Sequence, residues 1–486
     1  MPRVRRNVWQ LGSPSLELEW YARAIAEMRQ RPYQDPTSWA FQGAVHGYNQ
    51  NTRPWPSLVQ PPRPNFPDWE RCQHQTWFFL PWHRGYVAAF EAIVARIIED
   101  LGGPTEWALP YWNYSDGSPH ARRMPRAFVG RQLPDGSNNP LWSPRRPNFD
   151  GDPSYQIPAG IVDTGPALSI PVFTSGATGV PPGFGGPQTG FMHFGAASGL
   201  ASGELEQQPH NLVHDAIGGW MGNPNTAGLD PIFWLHHANI DRLWQVWVER
   251  YGTGANPNTP AWLTNVAFTL YDSTGARWTF TSGDVLDTRT VLHGYEYDDQ
   301  APGAPVTVAL EAIEAAAMVE EGLAEPELIG ASDTGLSLAA GSASATVRID
   351  ASALGARGLL ESTGPAPRTY LNVENVTGLS SGAIYRVLVK SPGGEPVHAG
   401  YISAFGSFGR GELGEDAGGG SSAFDVTEAL ARATDVAAES TQVDLEVLFE
   451  PELPPAEDVE PEEEGLEAIA PAKEPRIGRI SLYQTR

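Results

Sequence analysis

Residues 204–247 read ELEQQPHNLVHDAIGGWMGNPNTAGLDPIFWLHHANIDRLWQVW, and the way this stretch coils decides how the rest of the chain folds. His210 and His214 stand four residues apart, so on a helix both imidazoles project from one face. Pro209 suits the first helical position, where no backbone donor is needed, so a helix is predicted to begin there. A second helix follows, with Phe233, His237, Asp241 and Trp244 recurring at intervals of three and four. Two helices that aim imidazoles inward are how a bundle builds a metal site in its core. Taken alone, an i, i+4 histidine pair is as well explained by a half-exposed helix face. A second histidine set upstream favours the metal.

That set is His46, His74 and His83. Residues 17–30 (LELEWYARAIAEMR) have a helical apolar period, and a helix opened by Asp35-Pro36 carries His46 near its end. His74 lies on the approach to a long amphipathic helix. That helix is expected from about His83 to Leu101, with His83 in its first turn and Gly102-Gly103 closing it. Residues 51–68 and 108–203 are rich in proline and glycine and read as loops that wrap the bundle. Two sets of three imidazoles, with no cysteine pair and no carboxylate at ligand spacing, favour a pair of copper ions over iron. His236 adjoins His237 but faces about 100° away on a helix, beside the site rather than in it. His120, His193, His293 and His398 lie in loop or strand segments and read as ordinary histidines.

The chain has 486 residues, which favours two domains. The expected division is a mainly α domain over 1–299, a flexible linker over 300–345 and a smaller β-sandwich over 346–486. An acidic, proline-rich insertion falls at about 450–475. Residues 1–297 carry 21 arginines, no lysine and 25 acids, while the remainder carries 11 bases against 32 acids. An exterior this acidic argues against nucleic acid as a partner. No apolar run is long enough to span a membrane, and the basic start MPRVRR has no apolar stretch behind it, so a cytoplasmic location is expected. Cys72 is the one cysteine, which excludes an intrachain disulfide; by itself it reads as a small buried hydrophobe.

HQTWFFLPWHRGYVAAFE at 74–91 and DPIFWLHHANID at 230–241 resemble the two copper motifs of the tyrosinase family. These type 3 copper proteins include polyphenol (catechol) oxidases and hemocyanins. The resemblance extends over residues 1 to about 299, through LPYWNY at 109–114 and YEY at 295–297. It implies a four-helix bundle in which His46, His74 and His83 hold one copper and His210, His214 and His237 the other. Phe233 would support the ligands. Asp241 would orient an imidazole, or else pair with Arg242 or a neighbour on the helix surface. Dioxygen is the implied co-substrate, and a small phenol or catechol the implied substrate.

Further roles follow from the same resemblance. Cys72 stands two residues before His74, where related proteins form a thioether between those side chains. Glu206 and Asn211 match positions that assist removal of a phenol's proton, with Glu204 as a rival acid. Pro224 occupies the place of a gate residue and should leave the entrance wide. The β-domain resembles a shielding domain whose segment HAGYISAFGSF would insert Tyr401 or Phe405 as a plug; alternatively those aromatics form its own core. The implied function is a latent phenol oxidase acting on monophenols and o-diphenols. A catechol-only oxidase, an o-aminophenol oxidase and a hemocyanin-like oxygen carrier are the alternatives. Oligomeric state and the role of Asp215 stay open.

Overall fold

The structure is a computed structural model. It describes all residues except 1, 61–65, 134, 145, 151, 153, 176–178, 192–200, 301–325, 340, 351–367, 408–418, 432–441, 454–473 and 486. His193, the first half of the expected linker and most of the acidic insertion lie outside the described residues.

Helix α1 (Leu16–Gln30) opens at Ser15, whose hydroxyl accepts the Leu18 N–H, and buries Tyr21, Ile25 and Met28 along one stripe. Helix α2 (Trp39–His46) is capped in the same way by Ser38, and His46 is its last residue. Helix α3 spans Phe79–Asp100 and so begins a turn before the expected His83. The reason is Pro81: first-turn N–H groups have no partner within the helix, so a proline there breaks nothing. His83 therefore stands one turn in, and its Nδ1 bonds the Phe79 carbonyl that the added turn supplies, at 2.8 Å.

Helix α4 (Leu212–Ile217) follows a wound segment, Glu206–Asn211, in which Gln208 alone is extended at φ −146° and ψ 124°. A residue before proline is pushed into that region, so regular coiling starts at Pro209 as expected. Helix α5 (Pro231–Tyr251) has Asp230 as its cap, Pro231 in its first turn and Gly252 at its end. Helices α2, α3, α4 and α5 surround the histidines. Phe90 of α3 lies flat on Trp234 of α5, ring centroids 3.5 Å apart.

Asp241 takes neither expected role. It is buried one turn beyond His237, paired with Arg5 at 3.1 Å and with Arg84, and accepts the Tyr295 and Tyr297 hydroxyls at 2.6 Å. Arg5 lies on β1 (Arg3–Arg5), which pairs in parallel with β4 (Tyr295–Tyr297). The network thus ties both ends of the helical domain to α3 and α5, the helices that carry His83 and His237. A hairpin of β2 (Ala267–Tyr271) and β3 (Arg277–Thr281) packs beside them.

The second domain begins earlier than the linker expectation allowed. Strands β5 (Glu327–Ala331), β6 (Leu336–Ser337) and β7 (Ala343–Asp350) belong to its sheet. Their short, glycine- and alanine-rich sequences mimic a linker, and only pairing with distant partners makes them strands. The rest are β8 (Thr369–Thr377), β9 (Ile384–Lys390), β10 (Val397–Ser403), β11 (Gly420–Asp425), β12 (Gln442–Leu453) and β13 (Arg476–Gln484). They form one antiparallel sheet in the order β10-β9-β12-β7-β5-β13-β8-β11, with β6 also on β13. Its edges meet where the Phe424 ring of β11 covers Gly400 of β10, so the sandwich is one sheet curled around its core. Among the described residues no helix is long and apolar enough to cross a membrane.

Beyond β10 a helical turn, Ala404–Ser407, leaves the sheet and enters the helical domain. Phe405, Tyr401 and Ile384 join the first domain's core rather than the second's.

Candidate metal centre

The six expected ligands converge between α2, α3, α4 and α5, and all are buried. Four have an Nδ1 fixed from outside. His46 bonds the Pro224 carbonyl at 2.9 Å, His83 that of Phe79 at 2.8 Å and His214 that of Met221 at 2.8 Å. His210 donates to the Asn211 Oδ1 at 2.8 Å. A donor at Nδ1 leaves a lone pair on Nε2, so these bonds set the tautomer that binds metal. The Nε2 atoms of His46, His83 and His210 are buried with no hydrogen-bond partner. The Nε2 atoms of His214 and His237 approach to 3.3 Å.

Buried acceptors crowded without donors call for a cation. His210, His214, His236 and His237 offer ligand atoms within 4.8 Å of one another, as do His46, Cys72 and His74. His83 closes the upstream set, its ring 5.2 Å from that of His74, and faces the downstream set by stacking on His237 at 4.6 Å. Burial holds His46 down to about 4 and His210 to about 3, so both are neutral ligands at neutral pH. All-imidazole donor sets, with no carboxylate among them, suit copper.

Phe233 fills the space between the sets, its ring 4.1 Å from His237 and 4.9 Å from His46. His236 is closer than expected. It lies within the downstream group, with Nδ1 on the Tyr114 hydroxyl at 3.2 Å. His120 packs on Trp9 and His398 on Tyr401, away from the centre.

Glu206 is buried and both carboxylate oxygens accept the Gln75 N–H at 2.9 Å; Glu204 is only partly buried. Burial raises Glu206 to about 8, against the lowering effect of the Gln75 bond. Gln75 itself was not singled out by sequence. It sits next to His74 in the left-handed region (φ 56°), and its Nε2 reaches the Gly406 carbonyl of the second domain at 3.1 Å. Pro224 acts through its backbone, as the acceptor for His46.

The ring that meets the imidazoles is Phe405. It stacks on His214 with centroids 3.9 Å apart and planes 12° apart, and lies 5.6 Å from His210 and 5.8 Å from His74. Tyr401, the other expected plug, stops short. It is still in strand β10, with its hydroxyl against Gly160, whereas residue 405 rides the helical turn beyond the strand.

Comparison with known proteins agrees with this geometry. Residues 36–250 match the common central domain of tyrosinase, and residues 325–485 match a domain family of unknown function. The chain is 39% identical over 395 residues to tyrosinase HcTyr1 of Hahella sp. (strain CCB-MM4), covering 77% of this chain and 78% of that one. It is 32% identical over 290 residues to a chloroplastic polyphenol oxidase of Vitis vinifera, covering 57% of this chain but 44% of the grape protein. The fold of the whole chain matches latent aurone synthase with a TM-score of 0.60 at 20% identity, covering 100% of this chain and 89% of that one. Latent apple tyrosinase matches with a TM-score of 0.58 at 19% identity, covering 100% and 97%. The buried histidine clusters fit a dinuclear copper site, and the chain belongs to the tyrosinase family.

Proposed function

We propose that this copper phenol oxidase both ortho-hydroxylates monophenols and oxidises o-diphenols to o-quinones, and that its second domain keeps it latent. The observation that carries the reading is the Phe405 ring lying flat on the ligand His214. An aromatic ring already occupies the place from which a phenol would reach the metal pair. Copper, when bound, relays electrons from the phenol to dioxygen. In the overall reaction a monophenol and dioxygen give an o-quinone and water.

The chain's residues prepare this reaction. Asn211 fixes the plane of His210 through its Oδ1, and Phe233 holds His46 and His237 apart. Burial beside the site raises the Glu206 carboxyl to about 8, against the Gln75 bond. In its ionised form this carboxylate takes the proton a phenol must lose. Cys72, in the same group as His46 and His74, is positioned to stiffen the His74 ring through a thioether.

The test is turnover of 4-methylphenol and 4-methylcatechol per bound copper, before and after limited proteolysis of the full chain. A rise with both substrates supports the proposal. Turnover of the catechol alone points to a catechol oxidase, and turnover of neither to an oxygen carrier.

A further inference from the structure

The backbone of Gln75 turns left-handed between the ligand His74 and the start of α3, at φ 56°. A residue with a long side chain seldom adopts that conformation, and such outliers persist only where their surroundings fix them. Here the helical domain does the fixing. The Trp77 N–H bonds the Pro187 carbonyl and its indole N–H the Thr189 carbonyl, both at 2.8 Å. Neither contact involves the second domain, so the turn outlasts the lifting of that domain.

The turn aims the Gln75 N–H between the two oxygens of Glu206, 2.9 Å from each. Among the described residues it is the one hydrogen-bond donor on that carboxylate, and no arginine or lysine pairs with it. Burial raises Glu206 to about 8, and this N–H draws it back toward the anion. The main chain of Glu206 is pinned on both sides. The Leu205 N–H bonds the Phe184 carbonyl at 3.2 Å and the Gln207 N–H the Gly203 carbonyl at 2.7 Å. The direction of the carboxylate is left for Gln75 to set.

We propose that Gln75 is a positioning residue for phenol oxidation: its main chain, rather than its side chain, holds the Glu206 carboxylate where a bound phenol loses its proton. The proposal rests on the reading of Glu206 as the proton acceptor. The Gln75 side chain has a separate task, donating to the Gly406 carbonyl of the second domain at 3.1 Å. Substitution can therefore separate the two arms.

The test measures the ratio of 4-methylphenol to 4-methylcatechol turnover, per bound copper, in the full chain carrying Gln75→Val, Gln75→Asn or Gln75→Gly. A β-branched residue is an outlier at positive φ, so valine turns the peptide and takes its N–H off the carboxylate. Asparagine and glycine both accept that conformation, and neither is long enough to reach Gly406. The ratio should fall by about tenfold in Gln75→Val, as for a misplaced proton acceptor. Gln75→Asn and Gln75→Gly should keep the wild-type ratio. Loosening of the plug, common to all three variants, acts on both substrates alike and leaves the ratio to report on the base. An unchanged ratio in Gln75→Val, or one that falls as far in the asparagine and glycine variants, would overturn the proposal.

A second measurement needs no turnover. Hydrogen exchange at the residue 75 amide of the full chain should be slow in the wild type and in Gln75→Asn, and faster in Gln75→Val and in Glu206→Ala. Equal exchange in the wild type and Glu206→Ala also overturns the proposal. If exchange follows the expected pattern while Glu206→Gln leaves the substrate ratio intact, the reading of Glu206 as proton acceptor fails and its placement by Gln75 stands.

Discussion

Replacing Phe405 by alanine is expected to unlock the full-length enzyme. The side chain is 5% exposed, so its burial contributes roughly 1.5–3 kcal/mol to the closed state. Stacking on His214 adds about 0.5–1.5 kcal/mol. The sum, about 2–4.5 kcal/mol, corresponds to roughly 30- to 2,000-fold in the ratio of closed to open forms. Two contacts survive the substitution because they are made by backbone atoms, namely the residue 405 N–H on Asp215 and the Gly406 carbonyl on Gln75. They keep the domain docked and place the expected gain near the lower bound, about 30-fold. The assay is the initial rate of 4-methylcatechol oxidation per bound copper in the uncut chain. Limited proteolysis should then add little to the variant, while it activates the wild type. Tyr401→Phe, which alters a ring that packs on Gly160, should behave as the wild type does. Equal rates for Phe405→Ala and wild type at equal copper content would refute the plug.

Three other outcomes follow from the site. Peptide mapping after exposure to copper and oxygen should show Cys72 joined to His74, with one hydrogen lost from the thiol and one from the ring; a Cys72 that alkylates readily in active enzyme would exclude the bond. Asn211→Gly frees the His210 ring and Glu206→Gln removes the proton acceptor, so each should lower the monophenol-to-catechol rate ratio by about tenfold; equal losses on both substrates would make the pair structural. Asp241→Asn leaves Arg84 buried without its carboxylate, while Arg5 keeps Glu91, and should cost about 3–5 kcal/mol by chemical denaturation. Burial pushes Asp241 up, but Arg84 and then Arg5 override it and hold it below its ordinary value. Its stabilisation is therefore present above the unfolded carboxylate range and is lost as pH falls through the lowered folded value. The variant should show a flatter acid limb, and an unchanged limb would assign acid unfolding to other groups.

The helical domain was legible because ligands in a bundle obey local rules. His210 and His214 share a face by spacing alone, and the apolar period of residues 17–30 is the stripe that α1 buries, whereas α2 starts at its Ser38 cap rather than at Asp35-Pro36. The start of α3 was missed because Pro81 reads as a breaker although it falls in the first turn, where it is harmless. Asp241 was misread because its partners, Arg5, Tyr295 and Tyr297, lie at the two ends of the domain, beyond any sequence window. The same limit hid the work of Gln75, Asp215 and the Pro224 carbonyl, each of which depends on a partner from another element. Choosing Phe405 over Tyr401 needed the end of β10, where a helical turn swings one aromatic into the site and leaves the other packed against Gly160. The early strands β5 to β7 carried no strong signal because their stability comes from pairing with β12 and β13.

The most direct test of the central claim is copper stoichiometry of the purified full chain, by elemental mass spectrometry with His83→Ala and His237→Ala alongside. Two buried imidazole triads predict two coppers per wild-type chain, and at most one in either variant, since each removes a ligand from a different triad. Two coppers retained in a variant, or a wild type that saturates at one, would contradict the dinuclear site.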